Sequence, residues 1–397
     1  MSEHTPRRRR VGDRFRITEW AGSGGFANVW RATDEEGGPD VAVKFPRYDG
    51  SNDRSIVEDR FERAYRTLES FGDGVHPTSL VHFVDGRRRD PMYLVTEFVD
   101  GTDLSSATTT PGTRLLERYG LPIVRAVSFL HENGYLYLDL KPENVLVRTT
   151  HDRPVLIDFN TAESATETET LFHEDAYKAP EQLPDGRRDG PSGPWTDVYG
   201  LGKLLVYLTT GQTVKTAETP ADGIEVRRHD QTVPAGLADI IAAATSAAPA
   251  ARPQTATRLA TTLYEELGRD GSVATLTDGR NGVACPVRAG DTVGRVAEDD
   301  ALPTVAVADP QRYVSPVQFE LRHEDDWIVE DQSLNGTYLD TGSDWERLLS
   351  EDGYRRLQSE ASVDVPDEQP YTAARLRSRR VLTPVDPSYS IQFQFDP

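Results

Sequence analysis

The feature that most constrains this chain is a glycine-rich turn between two strand-forming runs, with a lysine at fixed distance on a third run. RFRITEW (Arg14–Trp20) and ANVWRAT (Ala27–Thr33) carry the aromatic and β-branched residues of strands. GSGGFANV (Gly22–Val29) covers the turn between them. Without Cβ atoms, Gly22, Gly24 and Gly25 let backbone amides approach a phosphate closely. Fifteen residues after Val29 the segment VAVK ends on Lys44. On the next strand that cation points into the same cleft, placed to hold phosphate oxygens.

The rest of the chain divides by pattern. Residues near 12–100 read as short strands, VAVKFPR and MYLVTEFV among them, with one helix in SIVEDRFERAYRTLESF, where Ile56, Phe61, Tyr65, Leu68 and Phe71 keep helical spacing. From about 113 to 268 the pattern is mostly helical, apart from NVLVR and PVLIDF, and LGRDGS at 267–272 marks a boundary. Short strands return in VATLTD, VQFELRH, DWIVEDQ and YSIQFQF, while 340–380 is charged and partly helical. A chain of 397 residues has room for two or three domains of roughly 150 residues.

Charge excludes some functions. The net charge is −21, from 65 acids and 44 bases. Such acidity argues against nucleic acid or anionic membrane as a general partner. It fits either a cytoplasm of high ionic strength, as in a halophile, where a Debye length of roughly 3 Å at molar salt screens self-repulsion, or an Arg-rich, acidic protein shaped by genome composition. No apolar run reaches the roughly 20 residues of a membrane span. Lone Cys285 fits a reducing compartment and reads as a buried or incidental thiol rather than a reactive one. Only five bases are lysines (Lys44, Lys141, Lys178, Lys203 and Lys215) against 39 arginines. Where Arg has nearly displaced Lys, a surviving Lys marks a need for a compact ammonium.

The glycine-rich loop, VAVK, LDLKPEN (Leu138–Asn144), DFN (Asp158–Asn160) and APE (Ala179–Glu181) follow one another as in eukaryotic-type Ser/Thr protein kinases, which residues 12–268 resemble. The resemblance implies an α+β two-lobed kinase fold, with a small lobe at about 12–100, a large lobe at about 101–268 and a basic tail at 1–11. It implies ATP and Mg²⁺ or Mn²⁺ between the lobes, and protein hydroxyls as acceptors. Asp139 then faces the acceptor hydroxyl, Lys141 and Lys44 hold phosphate, and Asn144 and Asp158 hold metal. Gly22, Gly24 and Gly25 cradle phosphates. Val29, Ala42 and Leu146 enclose the adenine, whose edge meets the backbone of Thr96, Glu97 and Val99. Glu181, Arg252 and Asp197 match structural positions.

Departures from the pattern lie around these groups. Ala64 stands where the helix after Lys44 usually supplies a Glu, with Glu58 and Glu62 nearby. Tyr137 and Leu138 replace a His-Arg pair; Tyr137 is expected to fill the His space, and Leu138 removes a phosphate-Arg switch. Asn160 and Ala27 replace glycines, and Asn160 is expected to tolerate left-handed backbone. Thr161, Thr166, Thr168 and Thr170 are candidate phosphorylation sites, in a Thr/Glu-rich segment that for any single Thr reads rather as a solvated loop. Two readings therefore stand: an active kinase, or a pseudokinase scaffold that holds nucleotide.

Residues 272–397 resemble a forkhead-associated (FHA) domain, an all-β sandwich that binds phosphothreonine peptides. VGR, SPVQF and DQSLNGTYL carry that resemblance. It implies phosphate contacts from Arg295 and Ser315 and peptide contacts from Asn335 and Thr337, with Gly336 in the turn. Gln318 replaces a structural His, and 340–380 reads as an insertion. Partners would be phosphothreonine-containing proteins or the chain's own phosphorylated segments.

Overall fold

The computed structural model describes residues 10–24, 26–48, 53–72, 74–107, 110–164, 176–183, 191–296, 302–309, 311–359 and 370–397. A six-stranded antiparallel sheet forms the first lobe, from β1 (Arg10–Val11), β2 (Phe15–Ser23), β3 (Ala27–Asp34), β4 (Val41–Pro46), β6 (Phe83–Arg87) and β7 (Tyr93–Glu97) in the order β1-β2-β3-β4-β7-β6. Side chains alternate between its faces. Phe15, Ile17, Trp30, Val43 and Val95 close a small apolar cluster on one face. The register pairs Val29 with Lys44 and Ala42 with Thr96, so these four share the opposite face.

Helix α1 (Arg54–Glu69) follows β4, its N-terminus capped by Asp53, which accepts from the Ser55 N–H. Phe61, Ala64, Tyr65 and Leu68 recur at spacings of three and four and are buried. After α1 comes β5 (Val75–Pro77), which leaves the lobe's own sheet.

The second lobe contains β8 (Gly101–Asp103), the short helices α2 (Leu104–Ala107) and α3 (Thr113–Leu115), and α4 (Leu121–Glu132). Strands β9 (Tyr135–Leu136), β10 (Val145–Arg148), β11 (Pro154–Leu156) and β12 (Glu163–Ser164) follow, then helices α5 (Pro194–Thr210), α6 (Ala235–Ala244) and α7 (Ala256–Glu266). Helix α5 stops at Gly211, whose left-handed φ of 71° suits a residue without Cβ.

The C-terminal region is a β-sandwich. One sheet runs β14 (Ala284–Arg288), β13 (Val273–Asp278), β23 (Phe393–Asp396), β22 (Arg380–Pro384), β19 (Thr337–Asp340), β20 (Trp345–Leu348). The other runs β21 (Ala373–Arg375), β18 (Trp327–Asp331), β17 (Phe319–His323), β15 (Asp291–Gly294), β16 (Val305–Val307), β5. The 340–380 segment does not simply interrupt the sandwich. It supplies β20 and β21, an edge strand to each sheet, and helix α8 (Glu351–Ser359) between them.

The boundary at 267–272 joins the parts rather than separating them. Strand β5 of the first lobe pairs antiparallel with β16, Pro77 opposite Val305 and His76 opposite Ala306. The pairing covers an edge that would otherwise present unpaired backbone groups. Asn133, just past α4, exchanges two hydrogen bonds with the Ala284 backbone, at 2.7 and 3.0 Å. Arg125 of α4 forms a buried two-pronged pair with Asp291. One continuous apolar core runs from Leu68 and Val75 through Val124 to Val293 and Phe319. Cys285 lies in it, and burial pushes its thiol up to about 12, as expected of an inert core residue.

Candidate active site

The DLKPEN segment forms a tight loop between β9 and β10. Asp139 places its carboxylate 3.2 Å from the Lys141 ammonium. The Asn144 amide nitrogen donates to the Asp139 carbonyl at 2.8 Å and to its Oδ2 at 3.0 Å. The loop is held from beneath by Asp197, on the first turn of α5. That buried carboxylate accepts the backbone N–H groups of Tyr137 at 2.8 Å and Leu138 at 2.7 Å. The Ala256 N–H donates to His131 Nδ1, which leaves Nε2 to carry the proton and face Asp197 at 3.0 Å.

Leu138 has a φ of 64°, a left-handed conformation that costs a bulky residue about 1–3 kcal/mol. Asp197 on its N–H and Gln182 on its carbonyl, at 3.1 Å, hold it there. Tyr137 fills the space expected of it. It is fully buried, its ring meets Phe159 edge-on at 5.3 Å, and its hydroxyl donates to the Ile157 carbonyl. Beneath the loop, Arg252 grips Glu181 in a buried two-pronged pair of 2.6 and 3.0 Å.

Within the site, Asp158 is also left-handed, with a φ of 64°. The left-handed position is thus Asp158 itself and not Asn160, whose φ is not positive and whose N–H donates to Asp158 Oδ1 at 3.4 Å. A Cβ placed on Gly24 would lie 3.9 Å from Asp158 Oδ2, so the carboxylate faces the glycine-rich turn. Gly22 has a φ of 156° with open space where a Cβ would sit. Gly25 lies outside the described residues, as do Thr166, Thr168 and Thr170. Thr161 is buried and donates to the Tyr137 carbonyl at 3.1 Å, so its hydroxyl is not open to modification.

Neither acidic neighbour of Ala64 turns toward Lys44. Glu58 pairs with Arg54 at 2.8 Å and accepts from Tyr48, while Glu62 pairs with Arg66 at 2.6 Å. Ala64 itself packs in the core. Burial lowers the Lys44 ammonium below the usual lysine value, and the Asp158 carboxylate opposes that shift. Val29 and Lys44 are direct cross-strand partners. Ala42 and Val99 are buried, and Leu146 is half-buried on β10. Thr96 is buried and donates to the Glu97 carbonyl at 3.2 Å, whereas the Glu97 side chain turns away to Arg148 at 2.7 Å. Among the described residues the Val99 N–H has no backbone acceptor.

One residue of this site was not singled out from the sequence. Lys178, buried just before Ala179, directs its ammonium to Asp139 Oδ1 at 3.4 Å. Burial pushes the Asp139 carboxyl up, but Lys178 and Lys141 outweigh it and hold the group below its usual range. Lysine scarcity was the signal available. Of the two remaining lysines, Lys203 is buried on the Val214 carbonyl and Thr219, and Lys215 is exposed.

At one end of the sandwich, the Arg295 side chain donates to the Val314 carbonyl at 3.1 Å, and Ser315 Oγ accepts from the Leu334 N–H at 3.3 Å. Asn335 donates to the Tyr313 carbonyl at 2.8 Å and accepts from Arg356 of α8 at 3.1 Å. Gln318 is buried and ties the Ser315 N–H to the Gly336 carbonyl and Thr337. Thr337 corrects the expectation of a peptide contact. It is fully buried with its hydroxyl on Asp331 at 2.7 Å, so it supports the loops from within.

Among the described residues no helix is long and apolar enough to cross a membrane. A family model described as protein kinase domain matches residues 15–266. The serine/threonine-protein kinase PrkC of Bacillus subtilis is 29% identical over 270 residues, covering 62% of this chain and 40% of PrkC. The serine/threonine-protein kinase PknB of Mycolicibacterium smegmatis is 27% identical over 331 residues, 77% of this chain and 51% of PknB. The chain thus spans about half or less of the length of these curated relatives. The solved kinase domain of Mycobacterium tuberculosis PknI matches in fold, with a TM-score of 0.51 and 20% identity over 65% of this chain and 98% of that domain. The match to the family model covers well over half of the sequence and contains every motif of the cleft: this chain belongs to the protein kinase family, and its bacterial relatives are serine/threonine kinases.

Proposed function

We propose that the cleft transfers the γ-phosphate of ATP to serine or threonine hydroxyls of proteins. The observation that carries this reading is the intact cluster of Asp139, Lys141 and Asn144 within hydrogen-bonding reach, on a loop fixed by Asp197. Asp139 takes the proton of the acceptor hydroxyl as its oxygen bonds to the γ-phosphorus and the bond to the ADP oxygen breaks. Lys141 and Lys44 offset the charge on the phosphoryl oxygens. Gly22 and Gly24 leave room for phosphates, and Val29, Ala42, Val99 and Leu146 are suited to enclosing the base.

The donor set fits Mg²⁺ or Mn²⁺. Among the described residues no three His, Cys, Asp or Glu side chains gather as a metal cage. An Asn144 oxygen and the Asp158 carboxylate would hold such a cation together with phosphate oxygens, the usual habit of Mg²⁺. When bound, it neutralises phosphate charge. Lys44 relies on Asp158 and phosphate rather than on a carboxylate from α1. The scaffold reading rests on Ala64 alone, and the ordered catalytic loop favours transfer.

For the sandwich, the reading is an FHA domain in which Arg295 and Ser315 take the phosphate of a phosphothreonine peptide and Asn335 takes its backbone. Partners would be phosphorylated proteins or segments of this chain. The acidic composition suits a salty cytoplasm, so assays belong at both moderate and molar salt. Radiolabelled γ-phosphate transfer to a generic protein, compared between wild type and Asp139→Asn, tests the main reading. Label that disappears in the variant supports it. Absence of label in wild type at either salt, with Mg²⁺ or Mn²⁺, would reverse it in favour of the scaffold.

A further inference from the structure

Lys178 lies 39 residues from Asp139 along the chain, yet its side chain is only 8% exposed and ends 3.4 Å from Asp139 Oδ1. Its backbone is fixed on three sides. Thr216 donates its hydroxyl to the Lys178 carbonyl at 2.6 Å. The following Ala179 N–H donates to Gln182 Oε1 at 2.9 Å, and Gln182 Nε2 reaches back to the Leu138 carbonyl at 3.1 Å. Two residues further on, Glu181 is locked to Arg252. The ammonium is therefore carried by a rigid turn, and the same turn braces the residue preceding Asp139.

The two oxygens of Asp139 are held differently. Oδ2 faces Lys141 at 3.2 Å and the Asn144 amide at 3.0 Å, both from the catalytic loop itself. Oδ1 faces Lys178, which arrives from the segment leading into α5. A carboxylate flanked by one cation on each oxygen cannot swing freely about its Cβ–Cγ bond. In a chain with five lysines and 39 arginines, three of the five meet at this one cleft. An ammonium is compact enough to sit beside a carboxylate oxygen without forking over both, as a guanidinium does.

We infer that Lys178 is a positioning residue for phosphoryl transfer: its ammonium fixes the orientation of the Asp139 carboxylate from the side opposite Lys141. The inference rests on the reading that Asp139 faces the acceptor hydroxyl. It adds a third lysine to the two, Lys44 and Lys141, that the motifs identify. Lys178 acts through Asp139 and needs no contact with nucleotide.

The test compares wild type with Lys178→Met, Lys178→Arg and, as an exposed control, Lys215→Met. For Lys178→Met the expected result is a kcat lower by roughly 10- to 100-fold, the range for a misoriented catalytic group. KM for ATP should hold, so that the loss falls on kcat alone. Lys178→Arg should restore a cation beside Oδ1 and recover only part of kcat. Unchanged kcat in Lys178→Met would overturn the inference, and so would a rise in activity, which would make Lys178 a plug on the acceptor site. If Lys178→Met does not fold, the Lys178→Arg kcat decides: a value below wild type with KM for ATP held supports the inference, and an unchanged kcat contradicts it. Inactive wild type would instead indict the role given to Asp139.

Discussion

Two buried carboxylates, Asp197 and Asp331, each sit beneath a cluster of functional loops and gather that cluster's donors. Asp197 accepts two catalytic-loop N–H groups and faces the protonated nitrogen of His131. Asp331 accepts from the Ser333 hydroxyl at 2.8 Å, the Thr337 hydroxyl at 2.7 Å and the Ser350 N–H at 2.8 Å, all of them neutral donors. Burial pushes Asp331 up to about 6 despite these bonds. The clusters above them differ in kind as well. Over Asp197 lies a strained leucine and a carboxylate set between two lysines. Over Asp331 lie Arg295 and Asn335, whose side chains rest on backbone carbonyls. On the proposed reading, the first arrangement is prebuilt for chemistry and the second for exchange of partners.

That contrast can be broken at graded sites. Asp197→Asn keeps the shape but removes the charge that holds Tyr137 and Leu138. A cost of about 3 kcal/mol or more is expected in denaturant unfolding, with loss of transfer, because hydrogen bonds to a charged group contribute roughly 1.5–3 kcal/mol each. Asp331→Asn should cost less, about 1–2 kcal/mol at neutral pH, since the lost charge is one that burial already disfavours. An equal cost at both positions would erase the distinction.

The pH dependence of stability sharpens it. Between its ordinary value of 3.8 and about 6, Asp331 holds its proton in the folded state but releases it in the unfolded state, so its contribution falls as pH rises through that window. His76, at the seam between lobe and sandwich, has the opposite sign. Burial first, then the stacked His82, lowers it from 6.5 to about 3. Below 6.5 the unfolded chain binds the extra proton, so stability falls as pH drops from 6.5 toward 3. His76→Gln should flatten that loss and Asp331→Asn the opposing slope. Unfolding free energies across pH 3–8 measure both. The smallest expected effect on stability is that of Arg295→Ala, within about 0.5 kcal/mol, together with loss of phosphothreonine-peptide binding by calorimetry. Retained binding would remove Arg295 from the proposed pocket.

The sequence disclosed what lies close together along the chain. Asp139, Lys141 and Asn144 fall within one loop, so the resemblance to kinases brought all three together, and the helical spacing in Ser55–Phe71 located α1. Lys178 stayed hidden because its partner is 39 residues away and the residues between leave no periodic trace. The seam was hidden for a similar reason. Thr78 bonds to residues 225 and 226 positions later, and nothing in HPT advertises a strand that leaves its own sheet. Asn160 was read from side-chain tolerance, whereas the backbone placed its left-handed turn two residues earlier, at Asp158. Thr337 was taken as a peptide contact from the FHA resemblance, whereas Asp331 draws it inward.

The central claim is that this cleft transfers phosphate with Lys44 balanced by Asp158 instead of a carboxylate from α1. Single-turnover transfer from γ-labelled ATP, at saturating nucleotide and matched salt, measures it directly in wild type and Lys44→Met. The account predicts measurable transfer in wild type and a loss of about 100-fold or more in Lys44→Met, the scale for removing one cation or donor from a developing charge. Equal rates in the two proteins would contradict it.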